Sequence, residues 1–238
     1  MVDFAVMDFE AQRSATDEIY SASDYHARMH GVLPGAFEMI ARYRGEKFAR
    51  LLDTAGKDVL EFGCGPGWNL VDLPARRRVG CDVSTAYAES LRASGIEFVS
   101  DAALLEGQQF DIVLLSHVAE HLMDPARTVI DLAKFLKPQG TLCVVVPMEG
   151  SISKFDPADN NHHLFSWNVQ TLTNLLTAAG YRVTSCRVAR KGYDRYAANL
   201  AVRVHAGYRG YLGLLRTMRL LRPVYEIQAR VTRQETPV

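Results

Sequence analysis

Residues 58–70 read DVLEFGCGPGWNL, a short apolar run followed by glycines at 63, 65 and 67. Glycines directly behind a strand let the chain turn tightly and bring backbone N–H groups against a ligand. Two chemistries use that device. A dinucleotide pyrophosphate asks for G-x-G-x-x-G at a helix N-terminus. Here Trp68 stands where the last of those glycines falls, and Glu61 precedes the first by two residues. A carboxylate in that place repels an anion and attracts a cationic ligand. Two more acids sit at comparable points. Asp82 closes RRVGCD, where a carboxylate can accept both ribose hydroxyls of a nucleoside. Asp101, in FVSDA, is placed to receive an adenine amino group.

These residues need a scaffold that brings them to one edge. Short β-branched or aromatic runs at 58–62, 77–81, 96–100, 110–116 and 140–146 read as strands. Helical patterns lie between them at 84–94 and 118–136, and another precedes them at 34–52. That alternation predicts an α/β domain with a parallel sheet wrapped by helices, and ligands in such folds bind at the carboxyl ends of the strands. After the fifth strand comes a long polar loop, PMEGSISKFDPADNNHHLFSW, then a helix capped by Ser166 with Leu172, Leu175, Leu176 and Ala179 inward and Gly180 as its stop. Runs at 181–189 and 199–206, joined by RKGYDRYAA, predict an antiparallel hairpin.

Composition narrows the partners. The chain has 238 residues, 48% of them hydrophobic, and a formal net charge of zero. Nothing in that balance favours nucleic acid. The four cysteines, 64, 81, 143 and 186, are far apart and form no C-x-x-C pair, so buried thiols are expected rather than a metal site. No run approaches the roughly 20 apolar residues of a membrane span, and the expectation is a cytoplasmic protein.

The blocks VLEFGCGPG, GCDVS, FDIVLLSHVAEHL and LKPQGTL, in this order, resemble the class I S-adenosylmethionine-dependent methyltransferases, specifically the small-molecule type related to ubiquinone-biosynthesis enzymes. The resemblance covers residues 58–147 and weakens through 206. It implies a doubly wound, mostly parallel seven-stranded Rossmann-like sheet whose last strand is antiparallel. With the residues on either side, the chain divides into an N-terminal helical lid (1–33), a cofactor-binding domain (34–206) and a basic amphipathic appendage (207–238) open to a homodimer partner or a lipid-linked acceptor. By the same resemblance Gly63, Cys64, Gly65 and Gly67 pass under the methionine and ribose of S-adenosylmethionine, and Glu61 faces its amino end. Asp82 holds the ribose and Val83 the adenine face, Asp101 and Ala102 border the adenine edge, and Ser116, His117 and Val118 meet the amino acid end. The product is S-adenosylhomocysteine.

Methyl transfer to a hydroxyl usually needs a base, and histidine suits neutral pH. His163 and His162, beside LFSW in the long loop, are the first candidates, and His117 is the third. His26 and His30, with Tyr20 and Tyr25, fit a lid. In relatives the pair Glu120-His121 is structural. Against the metal-assisted subclass, Ser116 replaces its aspartate after strand four and Asp159-Asn160 lies too far along, so no metal is expected. The site after strand four also lacks the Asn/Asp-Pro-Pro-aromatic motif of DNA-base enzymes, and a single Glu120 is not the double-glutamate loop of protein arginine enzymes. A small-molecule oxygen acceptor, on a sugar, glycan precursor or natural product, is the expected substrate. Nitrogen or carbon acceptors and a non-catalytic cofactor-binding subunit remain open.

Overall fold

The computed structural model describes residues 31–149, 159 and 161–234. In chain order these form α1 (Ala36–Leu52), β1 (Asp58–Phe62), β2 (Arg77–Cys81), α2 (Ala88–Ala93), β3 (Glu97–Val99), β4 (Phe110–Ser116), α3 (Pro125–Leu132), β5 (Leu136–Met148), α4 (Val169–Ala178), β6 (Tyr181–Lys191), α5 (Asp194–Arg203), α6 (Gly207–Leu221) and β7 (Val224–Arg233). The strands make one sheet in the order β3-β2-β1-β4-β5-β7-β6. β1 and β4 lie in its middle and are buried on both faces, which is why they read as continuous apolar runs. All neighbours are parallel except β7, which runs antiparallel to both β5 and β6. The fold class is the one expected.

Alternation along each strand builds two cores. Leu60, Val113, Leu115, Val144 and Val146 pack under α3 and α4 with Val129, Leu132, Leu172 and Leu176. Val59, Ile112, Leu114, Cys143 and Val145 pack the opposite face against Phe48 and Leu51 of α1 and Leu91 of α2. A third cluster joins α1, α5 and α6 through Ile40, Ala41, Ala197, Ala201, Tyr211 and Leu215, and reaches Trp68.

Four expectations are corrected. Residues 199–206 do not form a strand, because Ala197, Ala198 and Ala201 bury one side of a helix against α1. The antiparallel strand is Val224–Arg233 instead, inserted between β5 and β6. The cofactor-binding domain therefore runs past 206, and the segment from 207 supplies a helix packed on α5 and a strand inside the sheet rather than an appendage. The pattern over 118–136 breaks into a short turn at Ala119–His121 and α3, because Asp124 caps a new helix start ahead of Pro125. The helix after the long loop is capped by Asn168, whose side chain accepts the Thr171 N–H, rather than by Ser166. The lid residues 1–30, with His26, His30, Tyr20 and Tyr25, lie outside the described residues. Among the described residues no helix is long and apolar enough to cross a membrane.

Candidate active site

The glycine turn joins the ends of β1 and β2. The Gly63 and Cys64 N–H groups donate to the Cys81 carbonyl at 2.7 and 3.2 Å. Asp82 accepts the Gly65 N–H at 2.7 Å on one oxygen and the Ser84 N–H at 2.9 Å on the other. Gly63, Gly65 and Gly67 all have positive φ, at 74°, 48° and 76°. A Cβ at Gly63 would fall 2.3 Å from Val118 Cγ2, and one at Gly67 2.2 Å from Leu91 Cδ2. At these two positions the missing side chain makes room for neighbouring protein.

Around this turn opens a cavity of about 810 Å3. Its wall takes in Glu61, Gly63, Cys64, Gly65, Asp82, Val83, Asp101, Ala102, Ser116, His117 and Val118, while Gly67 lies behind it. Glu61 is fully buried, and burial pushes its carboxyl up to about 8, against the opposing pull of the Asn69 hydrogen bond and the Arg44 charge. Asn69 Nδ2 donates to one Glu61 oxygen. The other, Oε2, has no partner among the described residues. Asp101 accepts the Ala103 N–H at 2.8 Å, and Val83 is 48% exposed at the cavity wall, an apolar surface available to a flat ring.

The opposite wall comes from elements far away in sequence. Lys47 of α1 pairs with Glu226 of β7 at 2.5 Å. Glu226 also accepts from His117 Nε2 at 3.3 Å and from Gln228 Nε2 at 2.5 Å. Burial alone raises a carboxyl pKa, yet Lys47 and His117 overcome it and hold Glu226 well below the usual range. The other ring nitrogen of His117 faces Glu120 Oε1 at 3.4 Å. Both nitrogens of this histidine therefore look at carboxylates. Arg44 spans Asp194 with two nitrogens, at 3.2 and 2.9 Å, and lies over the Trp68 ring at 5.0 Å. Arg219 meets the other Asp194 oxygen at 2.8 Å, which fixes the β6–α5 turn over the cavity. Arg44, Lys47, Lys191, Asp194, Arg219 and Glu226 are wall residues that the sequence reading missed. The one available signal was the pairing of Arg44 with Lys47 on an otherwise apolar face of α1.

His162 and His163 do not line the cavity. His162 is exposed, and its N–H donates to Asp159 at 3.0 Å. His163 Nδ1 bonds Glu149, and its ring lies edge-on to His121 at 4.8 Å. Ligand atoms of Glu120, His121 and His163 come within 4.8 Å of one another, the group of described residues closest to a metal-binding arrangement. Ligands at roughly 2.1 Å from one ion sit no more than about 4.2 Å apart; His121 Nε2 is 3.9 Å from Glu120 Oε1, so that pair already meets the bound.

A family model described as a methyltransferase domain matches residues 37–186, and the chain belongs to that family, the class I S-adenosylmethionine-dependent methyltransferases. A probable S-adenosylmethionine-dependent methyltransferase of Mycolicibacterium smegmatis is 36% identical over 137 residues, covering 54% of this chain and 53% of the relative. A ubiquinone biosynthesis O-methyltransferase of Neisseria meningitidis serogroup A is 36% identical over 103 residues, 37% of this chain and 43% of the relative. The chain thus spans about half the length of the curated relatives it matches. Among solved structures, Burkholderia thailandensis 1,6-didemethyltoxoflavin-N1-methyltransferase, with 1,6-didemethyltoxoflavin and S-adenosylhomocysteine bound, shares the fold at TM-score 0.63 and 16% identity, over 97% of this chain and 93% of that one. The cavity fits the family's donor. The unpartnered buried oxygen of Glu61 suits an ammonium, and the volume is that of an ordinary small-molecule site.

Proposed function

We propose that this chain is a methyltransferase that takes its methyl group from S-adenosylmethionine and passes it to a small molecule, with oxygen as the acceptor atom. The observation that carries this reading is Glu61, a buried wall carboxylate with one oxygen unpartnered, set beside Asp82 at the glycine turn. In this reading Glu61 takes the donor's ammonium, Asp82 the ribose hydroxyls, Val83 the adenine face and Asp101 with Ala102 its edge. The backbone of Gly63, Cys64, Gly65, Ser116, His117 and Val118 borders the amino acid end, and Gly67 shapes the turn from behind. When bound, the donor supplies a methyl group already activated on a sulfonium. The protein then has to hold the acceptor in line, exclude water and remove a proton. The reading includes no metal, a sugar, glycan-precursor or natural-product hydroxyl as acceptor, and a cytoplasmic location. His117, tied to Glu120 and Glu226, serves as a positioning residue, and the exposed His162 and Glu149-bound His163 take no proton-transfer role.

Isothermal titration with S-adenosylhomocysteine tests the binding half. Release of S-adenosylhomocysteine from S-adenosylmethionine, measured over a panel of phenols, sugars and amines, tests the transfer half. Binding without transfer to any acceptor would leave a cofactor-binding subunit, and transfer to amines alone would move the acceptor atom to nitrogen. The second outcome has a specific support, since the solved relative above is named an N1-methyltransferase.

A further inference from the structure

Lys191 is the last residue of β6 and lines the cavity. The other cations of the inner wall are spoken for. Lys47 is paired with Glu226, and Arg44 and Arg219 share Asp194. Among the described residues, no carboxylate comes within 4.0 Å of the Lys191 ammonium, and it makes no hydrogen bond. The side chain is half-buried. Burial is the largest influence on its amine and pushes its pKa down. Glu120 from the turn after β4, Glu226 from β7 and Glu149 after β5 oppose that shift, while Lys47 from α1 reinforces it. Each of those acids already faces another partner: His117 for Glu120, Lys47 for Glu226 and His163 for Glu149. A partly desolvated amine with no partner among the described residues, in the wall of the cavity, is chemistry held in reserve.

We propose that Lys191 is the catalytic base of the acceptor subsite and that the acceptor carries an acidic hydroxyl of phenol or enol type. This rests on the methyltransferase reading and narrows its acceptor to a phenolic or enolic natural-product hydroxyl, setting aside the sugar and glycan-precursor hydroxyls. Proton transfer is efficient when donor and base have matched acidities. A phenol near 10 lies just below an ordinary lysine amine near 10.4, and burial moves the Lys191 amine down toward it, whereas an aliphatic hydroxyl is several units too weak an acid. The acceptor O–H bond breaks and its proton goes to Nζ. The new ammonium stays beside the oxyanion while that oxygen bonds the methyl carbon, and the S–CH3 electron pair returns to sulfur. No oxidant or further reactant is needed. His117 is ill-suited to this task because both its nitrogens already face carboxylates.

The test uses 4-nitrophenol, whose ionised form absorbs in the visible, with S-adenosylhomocysteine present. The wild-type protein is expected to bind the dye as its phenolate at a pH where the free dye is still protonated. Lys191→Met is expected to bind it at least tenfold more weakly. Equal spectra for the two proteins overturn the proposal. As a second measurement on the wild type alone, acetic anhydride labelling at graded pH is expected to modify Lys191 at lower pH than the surface lysines, and 4-nitrophenol is expected to protect it. Ordinary titration with no protection overturns the role as well. Titration of S-adenosylhomocysteine into the wild type is the separate readout. Its failure sinks the methyltransferase reading, whereas intact binding with an indifferent Lys191 sinks only the base.

Discussion

Asp82 Oδ2 accepts the Gly65 N–H at 2.7 Å, so the acid that ends β2 and the glycine turn that follows β1 form one unit. Its other oxygen holds Ser84 N–H. Asp82→Ala is expected to weaken S-adenosylhomocysteine binding by about 1–3 kcal/mol, the scale of lost charge-assisted hydrogen bonds. Titration calorimetry reads this directly, and unchanged affinity would place the ribose elsewhere.

Glu61 gives a proton signal. Its carboxyl is pushed up to about 8 by burial, from an ordinary 4.5. The folded protein therefore holds a proton there between those two values that the unfolded chain lacks, and stability falls as pH rises through that window. A bound ammonium reverses the preference for the neutral form. Binding of S-adenosylhomocysteine near pH 6.5 is expected to release about one proton, and near pH 9 almost none. Calorimetry in buffers of different ionisation enthalpy measures the release, which Glu61→Gln should abolish.

The half-buried Lys47 pairs with the buried Glu226 across the cavity wall. Lys47→Met leaves Glu226 without its main counter-charge, and urea denaturation is expected to show a loss of about 3–5 kcal/mol. Because the folded pKa of Glu226 is held below its ordinary value, its contribution is complete at neutral pH. It is lost as pH falls below about 4.5 toward the depressed folded value. Glu226→Gln should flatten that acid limb, and a variant as acid-sensitive as the wild type would refute the assignment.

Gly63→Ala meets two separate penalties, a φ of 74° and a methyl group 2.3 Å from Val118 Cγ2. Together they are expected to cost about 2–4 kcal/mol. Adding Val118→Ala relieves the clash and leaves the backbone strain, so the double variant should recover part of the loss in a thermal melt. Recovery of all of it would show that φ contributes nothing.

On the metal-free reading, chelation by EDTA is expected to leave methyl transfer unchanged; the Glu120, His121 and His163 ligand atoms, all within 4.8 Å of one another, are where a cation would bind if that reading failed. A loss restored by a divalent cation would place a metal in the reaction.

Much of this was readable in the chain because the inner strands advertise themselves. β1, β2 and β4 occupy the residues that their apolar runs indicate. The acids at 61, 82 and 101 stand at or near strand ends, and all three line the cavity. β7 was illegible for the opposite reason. Its buried stretch includes Glu226 and Gln228 beside Ile227 and Ala229, so the usual apolar signature is broken by side chains that serve the cavity. The partners of those residues, Lys47 and His117, are distant in sequence, and no spacing rule links them. α5 misled because Leu200, Ala201, Val202 and Val204 read as a run, while burial of Ala197, Ala198 and Ala201 follows one helical side.

The placement of β7 bears on how the chain is made. Among the described residues β6 has no hydrogen-bonding neighbour in the sheet other than β7, so a growing polypeptide that has emerged through Lys191 carries β5 and β6 with a gap of one strand between them. Until Val224–Arg233 is available, the β5 and β6 edges that it covers stay unpaired, so the sheet closes only when the last strand of the described chain has been made.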